Sequence, residues 1–272
     1  MRQVPPPTAG LTERARELIE PSTSDRLRRV LTAAYRAYDW QELDRITAVG
    51  LDAEETRCLR DAYATTTSKR GGWLRQALFE NARTEESPCP LCELGNVSQL
   101  DHYLDQASFP EFCVYPPNLV PSCKDCNPNV KRVKNGVRNV LHCYRDPPEE
   151  LASALSAVLK DASGGAAQPR FEVQFSAPAG SLLERHLDTL GIRDRYRVAA
   201  SAEVHTMIDH LRVVVQLAGP PGAISLASLE VRAHNWAKSA ETNVRLSHFW
   251  RIAVRRAVAR SPAALAYVLR SA

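Results

Sequence analysis

Two Cys-x-x-Cys pairs, Cys89/Cys92 and Cys123/Cys126, stand in the chain with thirty residues between them. Each pair places two sulfurs on one tight turn, and four thiolates in that spacing can close a tetrahedral zinc shell. A redox pair would need no second pair. Bound metal also supplies folding energy to a stretch with little apolar periodicity. Zinc of this kind is structural and by itself implies no catalysis.

Between and beside the pairs lie residues that a structural zinc site does not need: Asp101, His102, Asn118 and Asn127. Asp101 can bind a hard divalent cation through oxygen, and in extended chain the adjacent His102 points to the opposite side. That separation lets a carboxylate hold a cation while an imidazole near its pKa takes a proton from water. Asn118 can orient the imidazole by a hydrogen bond, and Asn127 can give the cation a second oxygen. Each has a plainer alternative. A lone histidine is commonly a core or surface residue, Asn118 after two prolines suits a turn, and Asn127 before Pro128 suits a helix cap.

The elements that must position these residues are mostly helical. The stretch 12–64 carries helical periodicity, with Leu27, Val30, Leu31, Ala34 and Tyr35 recurring on one face. Asp52 and Glu55 resemble a capping box that opens a helix. WLRQALFENART reads as a short helix leading to the first cysteine. Residues 97–100 read as a strand running into Asp101-His102, and KRVKNGVR after the second pair reads as the start of a helix. Further on, EELASALSAVLKDA is helix-like, FEVQF alternates as one strand, and 182–197, 202–215 and the last third are helical.

Composition is that of a globular protein, with 44% hydrophobic and 24% charged residues and a formal charge of +4. That charge allows a polyanionic partner without arguing for one. The amino-terminal residues form no secretory leader and no apolar run approaches the ~20 residues of a membrane span. Reduced thiols and zinc suit a cytoplasmic location better than disulfides do. Cys58, Cys113 and Cys143 are left outside the metal spacing; Cys113 reads as packing.

The order Cys-x-x-Cys, Asp-His, Asn-Leu-Val-Pro, Cys-x-x-Cys-Asn resembles the HNH endonuclease family in its zinc-stapled ββα-metal form. LDHYLDQASFPEFCVYPPNLVPSCKDCN carries that likeness, LHCYRD (141–146) resembles a tail found after it, and the match covers about 60 residues. The resemblance implies a mainly α protein with a small central ββα-metal, treble-clef-like zinc module. It divides the chain into a helical region 1–85, the nuclease module with its zinc knuckles at 86–146, and a mostly helical region 147–272. His102 would be the general base, positioned by Asn118. Asp101 and Asn127 would hold one Mg²⁺ or Mn²⁺, and Cys89, Cys92, Cys123 and Cys126 would hold structural Zn²⁺. Asn127 stands where the family more often has histidine.

The activity so implied is hydrolysis of phosphodiester bonds in DNA, with RNA not excluded. Such nucleases resemble effectors of bacterial defence or restriction, sometimes beside a regulatory partner such as an ATPase. Phosphate contact is expected from Lys131, Arg132, Lys134 and Arg138. A second basic face, Arg245, His248, Arg251, Arg255 and Arg256, lies opposite an apolar face of Leu246, Trp250, Ala253, Val254, Ala257 and Val258. It suits nucleic acid, an acidic partner or plain solvation equally. His142 reads as structural. The rival from another class is a zinc-stabilised nucleic-acid-binding module that does not cleave.

Overall fold

A computed structural model describes residues 3–19, 23–38, 42–82, 88–127, 132–134, 136–146, 153–162, 169–242 and 248–272. They are mainly helical, with three two-stranded antiparallel sheets. The chain divides into two compact units, Met1–Pro147 and Pro148–Ala272. The front helices and the cysteine-bearing segment thus share the first unit. Among the described residues no helix is long and apolar enough to cross a membrane.

In the first unit, helices α1 (Ala9–Arg16), α2 (Asp25–Ala37), α3 (Ala53–Ala64) and α4 (Gly72–Asn81) surround a short hairpin of β1 (Gln99–His102) and β2 (Leu119–Ser122). The caps are those that the side chains dictate. Ser24 accepts from the Leu27 N–H at 3.1 Å at the start of α2. At α3 the expected capping box forms, with Asp52 accepting from the Glu55 N–H at 2.8 Å and Glu55 from the Asp52 N–H at 3.1 Å.

The helices hold the hairpin by aromatic packing and single hydrogen bonds. Tyr35 of α2 and Tyr38, which caps its end, pack on Phe112 and Tyr115; Tyr35 and Tyr115 stack at 4.2 Å and Tyr38 meets Phe112 edge-on at 5.1 Å. Tyr63 of α3 donates to the Leu100 carbonyl at 2.9 Å, and Arg75 of α4 donates to the Ser98 carbonyl. In the hairpin Asp101 pairs with Val120 and His102 with Leu119. Consecutive strand residues face opposite sides, so Asp101 and His102 diverge as their spacing requires.

Two helix expectations fail. Lys131 lies outside the described residues, but Val133–Lys134 (β3) and Val137–Arg138 (β4) form a small antiparallel hairpin, not a helix. Gly136 turns it with φ +68, a conformation that glycine adopts without strain. The helix that would complete a ββα unit is therefore absent among the described residues. Likewise, the end of the helix-like stretch is strand β5 (Ser156–Asp161), paired along its length with β6 (Phe171–Ser176). Alternating FEVQF needs a partner edge, and that pairing overrides the helical preference of an Ala- and Leu-rich segment.

The second unit packs this hairpin with α5 (Leu182–Thr189), α6 (Ile192–Leu217), α7 (Leu226–Thr242), α8 (Phe249–Ala259) and α9 (Pro262–Ser271). Val204, Met207, Leu211, Trp250, Val254 and Val258 are among its buried residues. The apolar face of α8 is core as expected, but the basic face is partly internal. Buried Glu203 of α6 takes Arg255 at 2.5 Å and Arg251 at 3.5 Å, and Arg255 also lies over the Trp236 ring at 4.5 Å. Arg245 and Leu246 lie outside the described residues.

Candidate metal and proton-transfer site

The four cysteines converge as their spacing predicts. Cys89, Cys92, Cys123 and Cys126 are all buried, and their sulfurs lie within 4.8 Å of one another. The Cys92–Cys123 separation is 3.8 Å. A tetrahedron with zinc–sulfur bonds of ~2.3 Å has edges of ~3.8 Å, so the donor set fits a zinc ion.

The first knuckle is built by its backbone: the Cys89 N–H donates to Gly95 at 2.7 Å and the Glu93 N–H to Cys89 at 2.8 Å. Glu93 takes the left-handed conformation, φ 57. The Cys123 N–H points at the Cys89 sulfur at 3.4 Å. Hydrogen bonding from Cys123 and its neighbours pulls the Cys92 thiol far below its ordinary range. Contact with Cys126 brings Cys123 down to about 7. The same network pushes Cys89 and Cys126 up. Four thiols this crowded cannot all ionise without a counter-charge, and a bound cation would let them do so.

His102 is 8% exposed. Its Nε2 lies 2.9 Å from the Cys113 carbonyl. A carbonyl accepts only, so Nε2 carries the proton and Nδ1 the lone pair, an assignment made from the partner. The Tyr63 ring lies 4.3 Å from the imidazole. Burial holds the imidazole below its ordinary value, and Arg132 adds to this; the Cys113 hydrogen bond and the charges of Asp101 and Asp105 oppose it. The ring is thus neutral at neutral pH, the state a proton acceptor needs.

Asn118 does not reach that ring, contrary to the direct hydrogen bond expected. Fully buried, it accepts from the Leu104 N–H at 2.8 Å and donates to the carbonyls of Leu104 (3.1 Å) and Phe112 (3.3 Å). It closes the loop between the strands, and Cys113, the partner of His102, follows Phe112 directly.

Asp101 and Asn127 are brought together. With its amide nitrogen turned to the carboxylate, Asn127 lies 3.0 Å from both Asp101 oxygens, while its far side is 2.5 Å from the Gln99 side chain. Oδ1 of Asp101 also accepts from the His102 N–H at 2.8 Å. A carboxylate beside an amide that can turn its oxygen inward is donor chemistry a hard divalent ion accepts. One oxygen, however, already carries a cation of the chain: Arg132 donates to Asp101 Oδ2.

The basic residues expected on phosphate divide sharply. Arg132 is buried, 2% exposed, and faces Asp101 instead of solvent. Arg138 pairs with Asp146 at 2.6 Å and donates to the Tyr103 hydroxyl at 3.1 Å, so it also works inside the fold. Lys134 is exposed, and Lys131 lies outside the described residues. The LHCYRD tail is structural: Asp146 accepts from the His142 N–H at 2.6 Å, and Tyr144 donates to the Leu119 carbonyl at 2.7 Å. Cys113 is buried, its thiol pushed up to about 12 by desolvation. Sequence reasoning missed Arg132 as the Asp101 partner and Tyr63 as the wall of His102. Its only signals were a basic run and one position on an amphipathic helix.

Comparison with known proteins adds little. No protein-family model matches the chain, and no solved structure matches it. The chain is similar to Protein ea31 of Escherichia phage lambda, 44% identical over 62 residues, which is 21% of this chain and 21% of that protein. The matched stretch thus spans well under two thirds of that relative, and its name states no activity.

Proposed function

We propose that the first unit is a zinc-stapled HNH-type endonuclease that hydrolyses phosphodiester bonds in DNA. What supports this reading above all is the neutral, walled His102, whose Nε2 is tied to Cys113, next in sequence to an Asp101 that pairs with Asn127. His102 Nδ1 takes a proton from water as the water oxygen bonds to phosphorus. The bond from phosphorus to the 3′ oxygen breaks, and that oxygen takes a proton from solvent, leaving 5′-phosphate and 3′-hydroxyl ends. A Mg²⁺ or Mn²⁺ held by Asp101 and Asn127 would meet negative charge on the phosphate and the leaving oxygen. Zinc at the cysteines holds the hairpin and takes no part in the chemistry.

A nuclease of this kind suits a bacterial defence or restriction effector in the cytoplasm, restrained by a protein partner such as an ATPase. That assignment rests on the family likeness alone. Phosphate contact falls first to exposed Lys134, because Arg132 and Arg138 are engaged internally. One observation favours a second reading, a non-cleaving nucleic-acid-binding module: a buried guanidinium already neutralises Asp101, as a fold without metal chemistry could retain. End-group analysis of labelled duplex DNA separates the two. The nuclease yields 5′-phosphate and 3′-hydroxyl ends that His102→Ala does not, whereas the binder retains the duplex uncut.

A further inference from the structure

A buried guanidinium needs acceptors for all five of its N–H groups. Arg132 uses one nitrogen, Nη2, which reaches Asp101 Oδ2 and the Cys126 carbonyl, the latter at 3.1 Å. Nε and Nη1 are buried without a partner among the described residues. Burial is the largest influence and opposes the charge on this guanidinium; the Asp101 carboxylate, helped by Cys126 and Tyr103, more than offsets it. What keeps Arg132 inside is therefore the charge of Asp101 and not a full set of hydrogen bonds.

Asp101 is equally committed. Its oxygens take the Arg132 guanidinium, the His102 N–H and the Asn127 amide. A divalent ion would need those same lone pairs. With a guanidinium left on the carboxylate, it would also face a like charge at close range in a poorly screened setting.

We infer that Arg132 is the resident counter-ion of Asp101 and sets the metal affinity of the site, because a divalent ion must displace it to bind. This rests on the reading of Asp101 and Asn127 as the metal-holding pair. Three buried N–H groups without an acceptor among the described residues make the closed arrangement costly to keep, which lowers the cost of displacing the guanidinium. A displaced guanidinium would present Nη2 together with Nε or Nη1 as a fork that matches two phosphate oxygens. Metal entry and contact with the substrate phosphate are then two results of one movement.

The test is Mn²⁺ binding to the full-length, zinc-loaded protein, read from the electron paramagnetic resonance of free Mn²⁺ and independent of any cleavage. Asp101→Asn serves as the control that removes the site. Arg132→Gln is expected to bind Mn²⁺ roughly tenfold or more tightly than wild type, the effect of removing one adjacent like charge. Arg132→Met carries the same expectation and keeps an apolar stem in the buried position, should the glutamine variant fail to fold. Arg132→Lys keeps the charge and should stay within about threefold of wild type.

Binding by the uncharged variants that is no tighter than wild type, yet lost in Asp101→Asn, would overturn the role of Arg132 and leave the metal site standing. No binding that depends on Asp101 in any protein would overturn both.

Discussion

The ring of Tyr63 lies 4.3 Å from the imidazole of His102, and its hydroxyl donates at 2.9 Å to Leu100, two residues earlier on the same strand. A helix from the front of the chain thus walls one side of the expected general base and fixes the strand that carries it. Desolvation pushes the Tyr63 hydroxyl up to about 12, so it remains a donor throughout the neutral range. Tyr63→Phe should keep the wall, lose the hydrogen bond and cost about 1 kcal/mol in urea unfolding. Tyr63→Ala should lose both and depress cleavage further. Equal stability of Tyr63→Phe and wild type would remove the hydroxyl from this account.

Gly95 is required by close approach. A Cβ there would sit 2.9 Å from the Cys123 Cβ and 3.0 Å from its sulfur. Gly95→Ala must therefore displace one of the four clustered cysteines that could hold zinc. It should release zinc to a chromogenic chelator faster than wild type, and zinc removal should cost β1 and β2 their hydrogen-exchange protection. A variant with wild-type zinc content and release rate would argue against a metal at these cysteines.

Asn118 makes three hydrogen bonds to backbone at the ends of one loop. Asn118→Ala leaves the buried Leu104 N–H without its acceptor and should destabilise the first unit by about 2 kcal/mol. Because the Cys113 carbonyl is positioned by that loop, cleavage should fall with zinc still bound. Full activity would show that the His102 geometry does not depend on the loop.

His142 predicts the direction of pH dependence. Burial first, then the charges of Arg138 and Arg132, holds its imidazole well below the ordinary value of 6.5, and the rings of Tyr103 and Tyr144 enclose it. It stays neutral in the folded chain while the unfolded chain takes up a proton below pH 6.5. Its contribution to stability is present above that pH and is lost as pH falls, by up to about 1.4 kcal/mol per unit. His142→Gln should show a shallower loss between pH 7 and 5.5 in urea titrations. An equally steep loss would assign the effect to other groups.

The two cysteine knuckles and the Asp101-His102 strand were legible in the sequence because both depend on local spacing. Cysteines three positions apart share a turn, and adjacent strand residues face opposite ways. The α3 capping box was legible for the same reason. Asn135-Gly136 is a pair that favours tight hairpin turns, but the Lys- and Arg-rich residues around it are also good helix formers, so local preference alone does not select the β3–β4 hairpin. Strand β5 was hidden because its partner, ten or more residues further on, decides its conformation. The inward turn of Arg132 was not legible at all. A run of four cations within eight residues looks the same whether one of them meets solvent or a buried carboxylate.

The measurement that tests the central claim most directly is cleavage of supercoiled plasmid in Mg²⁺ or Mn²⁺ by wild type and by His102→Ala, with zinc content and folding matched. The account predicts nicked or linear product from wild type and none from the folded, zinc-loaded variant. Equal cleavage by both proteins would contradict it, because His102 would then not be the base.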